Sequence, residues 1–168
     1  GVSMLPEEVK KFIGQQVGAS IFEVEKEPIR RFADAVDDPN PLYWDEEYAK
    51  KSRYGSIIAP PGFISAPWYA GRAVKWGKKE PATEGLGRAD LIMALAQAGY
   101  WRVLDGGMEY EFFKPVKAGD TIKSVSVVKD IIEREGRTGK MAFMITETTY
   151  TNQKGEVVAK ARGTSIHR

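Results

Sequence analysis

The chain has 168 residues, 42% of them hydrophobic, which suits one domain with one core. Its 25 Lys and Arg nearly balance 23 Asp and Glu, and a formal net charge of +2 excludes a broad basic field for nucleic acid or anionic lipid. The absence of cysteine and the presence of a single histidine, His167, exclude disulfides, thiolate chemistry and a Cys- or His-built metal site.

No apolar run approaches the roughly 18 residues that span a bilayer, and the start carries no signal-type stretch, so a cytoplasmic protein that needs no membrane is expected. Gly1, Val2 and Ser3 ahead of Met4 read as a tag remnant, leaving a single domain over residues 4–168. Pro6 opens a short helix over residues 6–13, with Val9, Phe12 and Ile13 on one face and Gly14 to end it. Residues 19–24 read as a strand. A second helix starts near Pro28, because Ile29, Phe32, Ala33 and Val36 follow i, i+3, i+4, i+7 spacing, and it stops near Asp38. Pro39 and Pro41 each remove a backbone donor and disfavour helix in the residue before, which makes residues 38–43 a stiff loop. Asp45 then caps a short helix through Lys51. An apolar, aromatic stretch over residues 63–76 gives way to a polar one, 77–87, whose Gly77, Pro81, Gly85 and Gly87 predict a surface insertion or lid. Residues 89–98 are a weak helical candidate. Beyond Gly106 and Gly107, β-branched and aromatic runs alternate with turn residues, which predicts strands at 108–113, 121–135, 140–150 and 157–166. His167, one residue from the end, reads as a solvated tail residue.

One early strand and four consecutive late ones, with the helices between them, predict an α+β domain. Its antiparallel five-stranded sheet wraps around a central helix, the hot-dog arrangement. Nothing repeats, and no tract is of low complexity.

The segment Phe32-Ala33, Asp38-Pro39-Asn40-Pro41-Leu42-Tyr43-Trp44-Asp45 resembles the signature of the MaoC-like, R-specific enoyl-CoA hydratases and dehydratases, approximately FA-x-x-x-G-D-x-N-P-L-H-x-D. Glu47-Tyr48-Ala49, Ile58-Ala59-Pro60-Pro61-Gly62 and residues 106–121 extend the resemblance over nearly the whole chain. It is most similar to the N-terminal MaoC-like dehydratase branch, which includes related chains of fungal-type fatty acid synthases and often supplies a partner for a catalytic hot dog. In the catalytic branch an Asp and a His hold the water that adds across an enoyl thioester. Here Asp38 takes the acidic position, Tyr43 stands in place of the His, and Asp37 stands where the signature has glycine. The resemblance also implies that Asn40 braces the loop and that the backbone N–H of Gly62 meets the thioester oxygen, where a developing enolate needs a fixed donor.

Syn addition of water needs one group that accepts a proton and one that delivers a proton near neutrality. Imidazole does both, whereas a phenol with a reference pKa near 10 donates but is a poor base. Slow or absent activity of the isolated chain is therefore expected. Phe63, Trp68, Tyr69 and Trp76, with Tyr100 and Trp101, are candidates to line an acyl pocket, and equally to be core. Leu91, Ile92 and Leu95 are candidates for the far wall of an acyl tunnel. Arg72, Lys75 and Arg88, with Lys78 and Lys79, are candidates to meet the phosphates of coenzyme A or acyl carrier protein, or to be solvated surface.

The resulting expectation is an enoyl-thioester hydratase or dehydratase subunit that takes an acyl-CoA or acyl carrier protein thioester without cofactor or metal. It pairs as a homo-dimer or as a hetero-dimer with a catalytic hot-dog subunit carrying the Asp/His pair. The alternatives are a self-sufficient hydratase using Asp38 and Tyr43, and a non-catalytic acyl-CoA binding or scaffold protein, with a thioesterase last.

Overall fold

The computed structural model describes residues 4–66 and 87–168. The described elements run α1 (Glu7–Lys10), β1 (Gln16–Glu23), α2 (Lys26–Ala35), α3 (Pro41–Trp44), α4 (Glu46–Lys51), a single 3-10 turn (Phe63–Ser65), α5 (Arg88–Gln97), β2 (Val103–Phe112), β3 (Thr121–Gly136), β4 (Gly139–Thr151) and β5 (Val157–His167). The strands form one antiparallel sheet in the order β1-β3-β4-β5-β2. This is the expected α+β hot-dog sheet, and β1 and β2 are its edges.

The helices take their places for local reasons. Pro28 sits in the first turn of α2, where its missing N–H is one of the donors a helix leaves unbonded anyway. Ile29 and Ala33, one helical turn apart, are its fully buried face, while Val36 lies past the last helical residue and is exposed. The end of α2 is a Schellman motif: Asp38 N–H donates to Ala33 O at 2.9 Å, and Asp37 N–H donates to Asp34 O at 3.0 Å. Asp37 takes the left-handed position this motif requires, φ 54°. Glycine meets that demand at no steric cost and Asp tolerates it, which explains physically why the resembled signature has glycine there. Asn40 Oδ1 then accepts from Leu42 N–H and Asp45 Oδ1 from Tyr48 N–H, so α3 and α4 each start on a side-chain cap.

Two apolar clusters occupy the inner face of the sheet. α2, α3, α4 and the 3-10 turn pack over one end, around Phe22, Ile29, Phe63, Ile122 and Val158. At the other end α1 and α5 pack Val9, Phe12, Leu91 and Leu95 onto Val128, Ile131 and Met144. β3 is long enough to serve both clusters because of a bulge: its register against β4 shifts between Val128 and Asp130, so Val128 and Ile131 both face inward. Strict alternation would turn Ile131 outward and place Asp130 in the core.

Three expectations are corrected. β1 begins at Gln16, ahead of the expected 19, through an irregularity at Gly18. β2 begins at Val103, ahead of the expected 108. Asp105, Gly106 and Gly107 do not break the strand but bulge it, with Gly107 at φ 115° and Asp105 Oδ1 accepting its N–H at 2.8 Å. Gly106 is needed there because a Cβ would meet Thr164 O at 2.9 Å. Finally, His167 is no tail residue. It is the last residue of β5, paired with Val103 and Ala142 and only 1% exposed.

Candidate functional site

A cavity of about 540 Å³ opens where α3, the segment after α4 and the end of β2 meet. Backbone bonds fix its walls: Ile58 N–H donates to Leu42 O, Ala59 N–H to Val116 O and Ala118 N–H to Ile57 O. These tie the Ile58-Ala59-Pro60-Pro61 wall to the loop beyond β2. Tyr43, Asn40, Arg53, Tyr54 and Lys114 supply the polar side chains of the lining, and Leu42, Ile58, Ile64, Phe112 and Phe113 much of its apolar surface.

Tyr43 is buried, with its phenol held above its ordinary value, first by loss of solvent and then by the charge of Asp38 and the nearby Tyr54; the Asn40 side chain opposes this. The phenol therefore stays protonated at neutral pH, able to donate a proton or hydrogen bond and unsuited to be a base. Asp38, five residues earlier, lines a different recess of about 240 Å³ with Ala33, Asp34, Asp37, Pro39 and Trp44. Its Oδ1 accepts from Asn40 N–H at 3.1 Å and its carbonyl from Trp44 Nε1 at 3.3 Å, so the residue is built into the loop. The sequence brings Asn40 and Tyr43 into one cavity and leaves Asp38 beside it. Among the described residues no cluster of acidic or imidazole groups could hold a metal ion.

Gly62 lies between the cavity-lining Pro61 and Ile64, with φ 87°, a conformation that favours glycine. Its carbonyl accepts from Ser65 N–H at 3.1 Å and from Ser65 Oγ at 2.9 Å, and Ser65 Oγ also meets the Tyr110 hydroxyl at 2.6 Å, which anchors the turn to β2. Its own N–H bonds to no acceptor among the described residues. Phe63 is fully buried and packs edge-on against Phe32 with ring centres 5.9 Å apart, so it is core and not pocket wall. Leu91 and Leu95 are likewise core residues. Trp101 is 78% exposed, and Tyr100 is buried beside α5. Arg88 lines a separate cavity of about 300 Å³ against Asp105, Thr146 and Ser165. Trp68, Tyr69, Arg72, Lys75 and Trp76, with Lys78 and Lys79, lie outside the described residues.

Sequence reasoning missed Arg53, Tyr54 and Lys114. Only the fold joins them, since Arg53 and Lys114 are far apart in the chain and line the same cavity. No helix among the described residues is long and apolar enough to cross a membrane.

The fold is that of a hot-dog protein, with a mostly apolar pocket beside an Asx-rich loop. Residues 11–161 match the family described as FAS1-like, dehydratase domain region. The chain belongs to this family, and with it to the MaoC-like hot-dog proteins that the Asp38-to-Tyr43 segment resembles. A UPF0336 protein of Saccharopolyspora erythraea is 33% identical over 95% of this chain and 90% of its own length. A "Probable enoyl-CoA hydratase alpha subunit" of Thermomonospora curvata is 34% identical over 80% of this chain, which covers 41% of that longer protein. The ChsH1-ChsH2 complex from Mycobacterium tuberculosis contains a chain of the same fold, with a TM-score of 0.78 at 20% identity over 99% of this chain and 92% of that one.

Proposed function

We propose that this chain is the acyl-binding member of a two-chain enoyl-thioester hydratase or dehydratase. The observation that carries the reading is the lining of the 540 Å³ cavity, which holds a buried, protonated phenol but no carboxylate and no imidazole among the described residues. A pocket so lined binds and orients an acyl thioester without supplying the base that water addition needs. The base then comes from a sister hot-dog chain with an intact Asp/His pair. Two further features support the reading. A similar solved structure, the ChsH1-ChsH2 complex, holds two chains, and the edge strand β2 exposes Val103, Leu104, Met108 and Phe112, with Phe113 just beyond it. The thioester is carried on coenzyme A or on acyl carrier protein, and no further cofactor takes part.

The experiment is hydration of crotonyl-CoA by the chain alone and with a co-purifying hot-dog partner, followed by loss of enoyl absorbance. Turnover confined to the mixture is expected. Efficient turnover by the pure chain, abolished by Asp38→Asn, overturns the reading in favour of a self-sufficient hydratase, for which the influence of Asp38 on Tyr43 speaks. Acyl binding without turnover in either arm makes the chain a non-catalytic carrier.

A further inference from the structure

We infer that Arg53 is the residue of the 540 Å³ cavity that recognises the phosphate ester closing a pantetheine arm. The inference rests on the reading of that cavity as an acyl-thioester site and names the group that selects the carrier end of the ligand.

Two cations among the described residues line the cavity, and they differ in what already neutralises them. Lys114 is ion-paired with Glu156, which in turn accepts from Asn152. Arg53 makes no ion pair among the described residues. It is nevertheless held in place: Nη2 donates to the Tyr54 hydroxyl at 2.6 Å, and the guanidinium carbon lies 4.8 Å from the centre of the Tyr54 ring. The ring contact restrains the guanidinium, while among the described residues that one bond uses one of its five N–H donors. An exposed arginine held in this way has lost part of its rotamer freedom before a ligand arrives, and its remaining donors match a phosphate two at a time.

The cavity is also graded in polarity. Tyr43 is buried, the half-buried Tyr54 lies within its electrostatic reach, and Arg53, bonded to the Tyr54 hydroxyl, is exposed. A pantetheine thioester has the same gradation, from an uncharged acyl group through an amide arm to an anionic phosphate. Coenzyme A and the carrier-protein prosthetic group share this phosphate, whereas coenzyme A alone adds further phosphates beyond it. Arg53, the exposed cation on this gradient, is assigned to the shared one.

The test is calorimetric titration of the full chain, with its partner where one co-purifies, using pantetheine, 4′-phosphopantetheine and coenzyme A against wild type, Arg53→Ala, Arg53→Lys and Tyr54→Phe. Arg53→Ala should weaken 4′-phosphopantetheine and coenzyme A alike by at least about tenfold, the scale of a lost charge-assisted bond, and leave pantetheine within about twofold. Arg53→Lys should recover part of the loss, because a point charge replaces a fork, and Tyr54→Phe should show a smaller selective loss. A loss confined to coenzyme A assigns Arg53 to the phosphates found only there and overturns the shared-phosphate inference. Equal weakening of pantetheine, or no weakening of the phosphorylated ligands, reduces Arg53 to a brace for Tyr54 and also overturns it. Failure of wild type to bind any of the three removes the acyl-thioester reading of the cavity, and the present inference with it.

Discussion

Tyr43 and Asp38 stand on one loop five residues apart, yet Tyr43 lines the 540 Å³ cavity and Asp38 lines the separate 240 Å³ recess beside it. The loop itself causes the divergence. Asp37 in the left-handed conformation closes α2, Asp38 turns back to accept from Asn40 N–H, and Pro41 starts α3, which carries Tyr43 inward.

Restoring the imidazole by Tyr43→His therefore should not restore catalysis. The new ring enters a cavity whose lining omits Asp38, its carboxylate engaged by Asn40 N–H, and rates should stay within about tenfold of the wild-type background, short of the roughly 10²–10⁴-fold that positioned acid–base groups supply. The check is steady-state crotonyl-CoA hydration by the purified variant. A gain of several hundredfold would show that Asp38 reaches the cavity after all.

Phe63→Ala should act on stability and not selectively on binding. The ring is fully buried against Phe32, and its removal should cost about 3–5 kcal/mol. Urea unfolding measures this, while Phe63→Leu, which keeps most of the volume, should fold and bind the thioester as wild type does. Loss of thioester affinity in Phe63→Leu at unchanged stability would return this residue to the pocket wall.

Acidification should weaken the fold through His167. Its Nε2 meets Ser165 Oγ at 2.8 Å, while its buried Nδ1 has no partner among the described residues. Burial, and then the charge of Arg88, hold the ring below its ordinary pKa. Below the unfolded value of about 6.5 the unfolded chain binds a proton that the folded chain resists, so stability is full above that value and falls as pH drops toward the folded one. The chemical-denaturation midpoint should decline as pH falls below about 6.5, and His167→Gln should flatten that decline. An identical slope in wild type and variant would locate the acid sensitivity elsewhere.

The edge strand β2 should be covered in solution. An edge exposing Val103, Leu104, Met108 and Phe112 presents both unpaired backbone and apolar surface, which natural sheets hide by pairing or by a partner. Light scattering at micromolar concentration should give a dimer or a complex with a sister chain, and the double variant Leu104→Lys, Phe112→Lys should dissociate it. A wild-type monomer that binds no sister chain would refute this.

The sequence by itself determined the elements and the family. Periodicity in α2, the prolines around Asn40, the Asp45 cap and the β-branched runs after Gly107 are local signals, and each specifies its element through backbone geometry that neighbours do not need to complete. Resemblance at Asp38 and Tyr43 likewise located the loop that borders the cavity. Three matters lay beyond local reading, and all depend on what lies across the sheet. Register shifts at Val17, Lys129 and Gly106 change which residues face inward, and such a shift is a property of two paired strands. His167 is buried where β2 starts early enough to pair with it at Val103, and that start lies ahead of two glycines that read alone as a break. The composition of the cavity, with Arg53 and Lys114 inside it and Asp38 outside, arises where distant segments converge, and only tertiary packing could decide it.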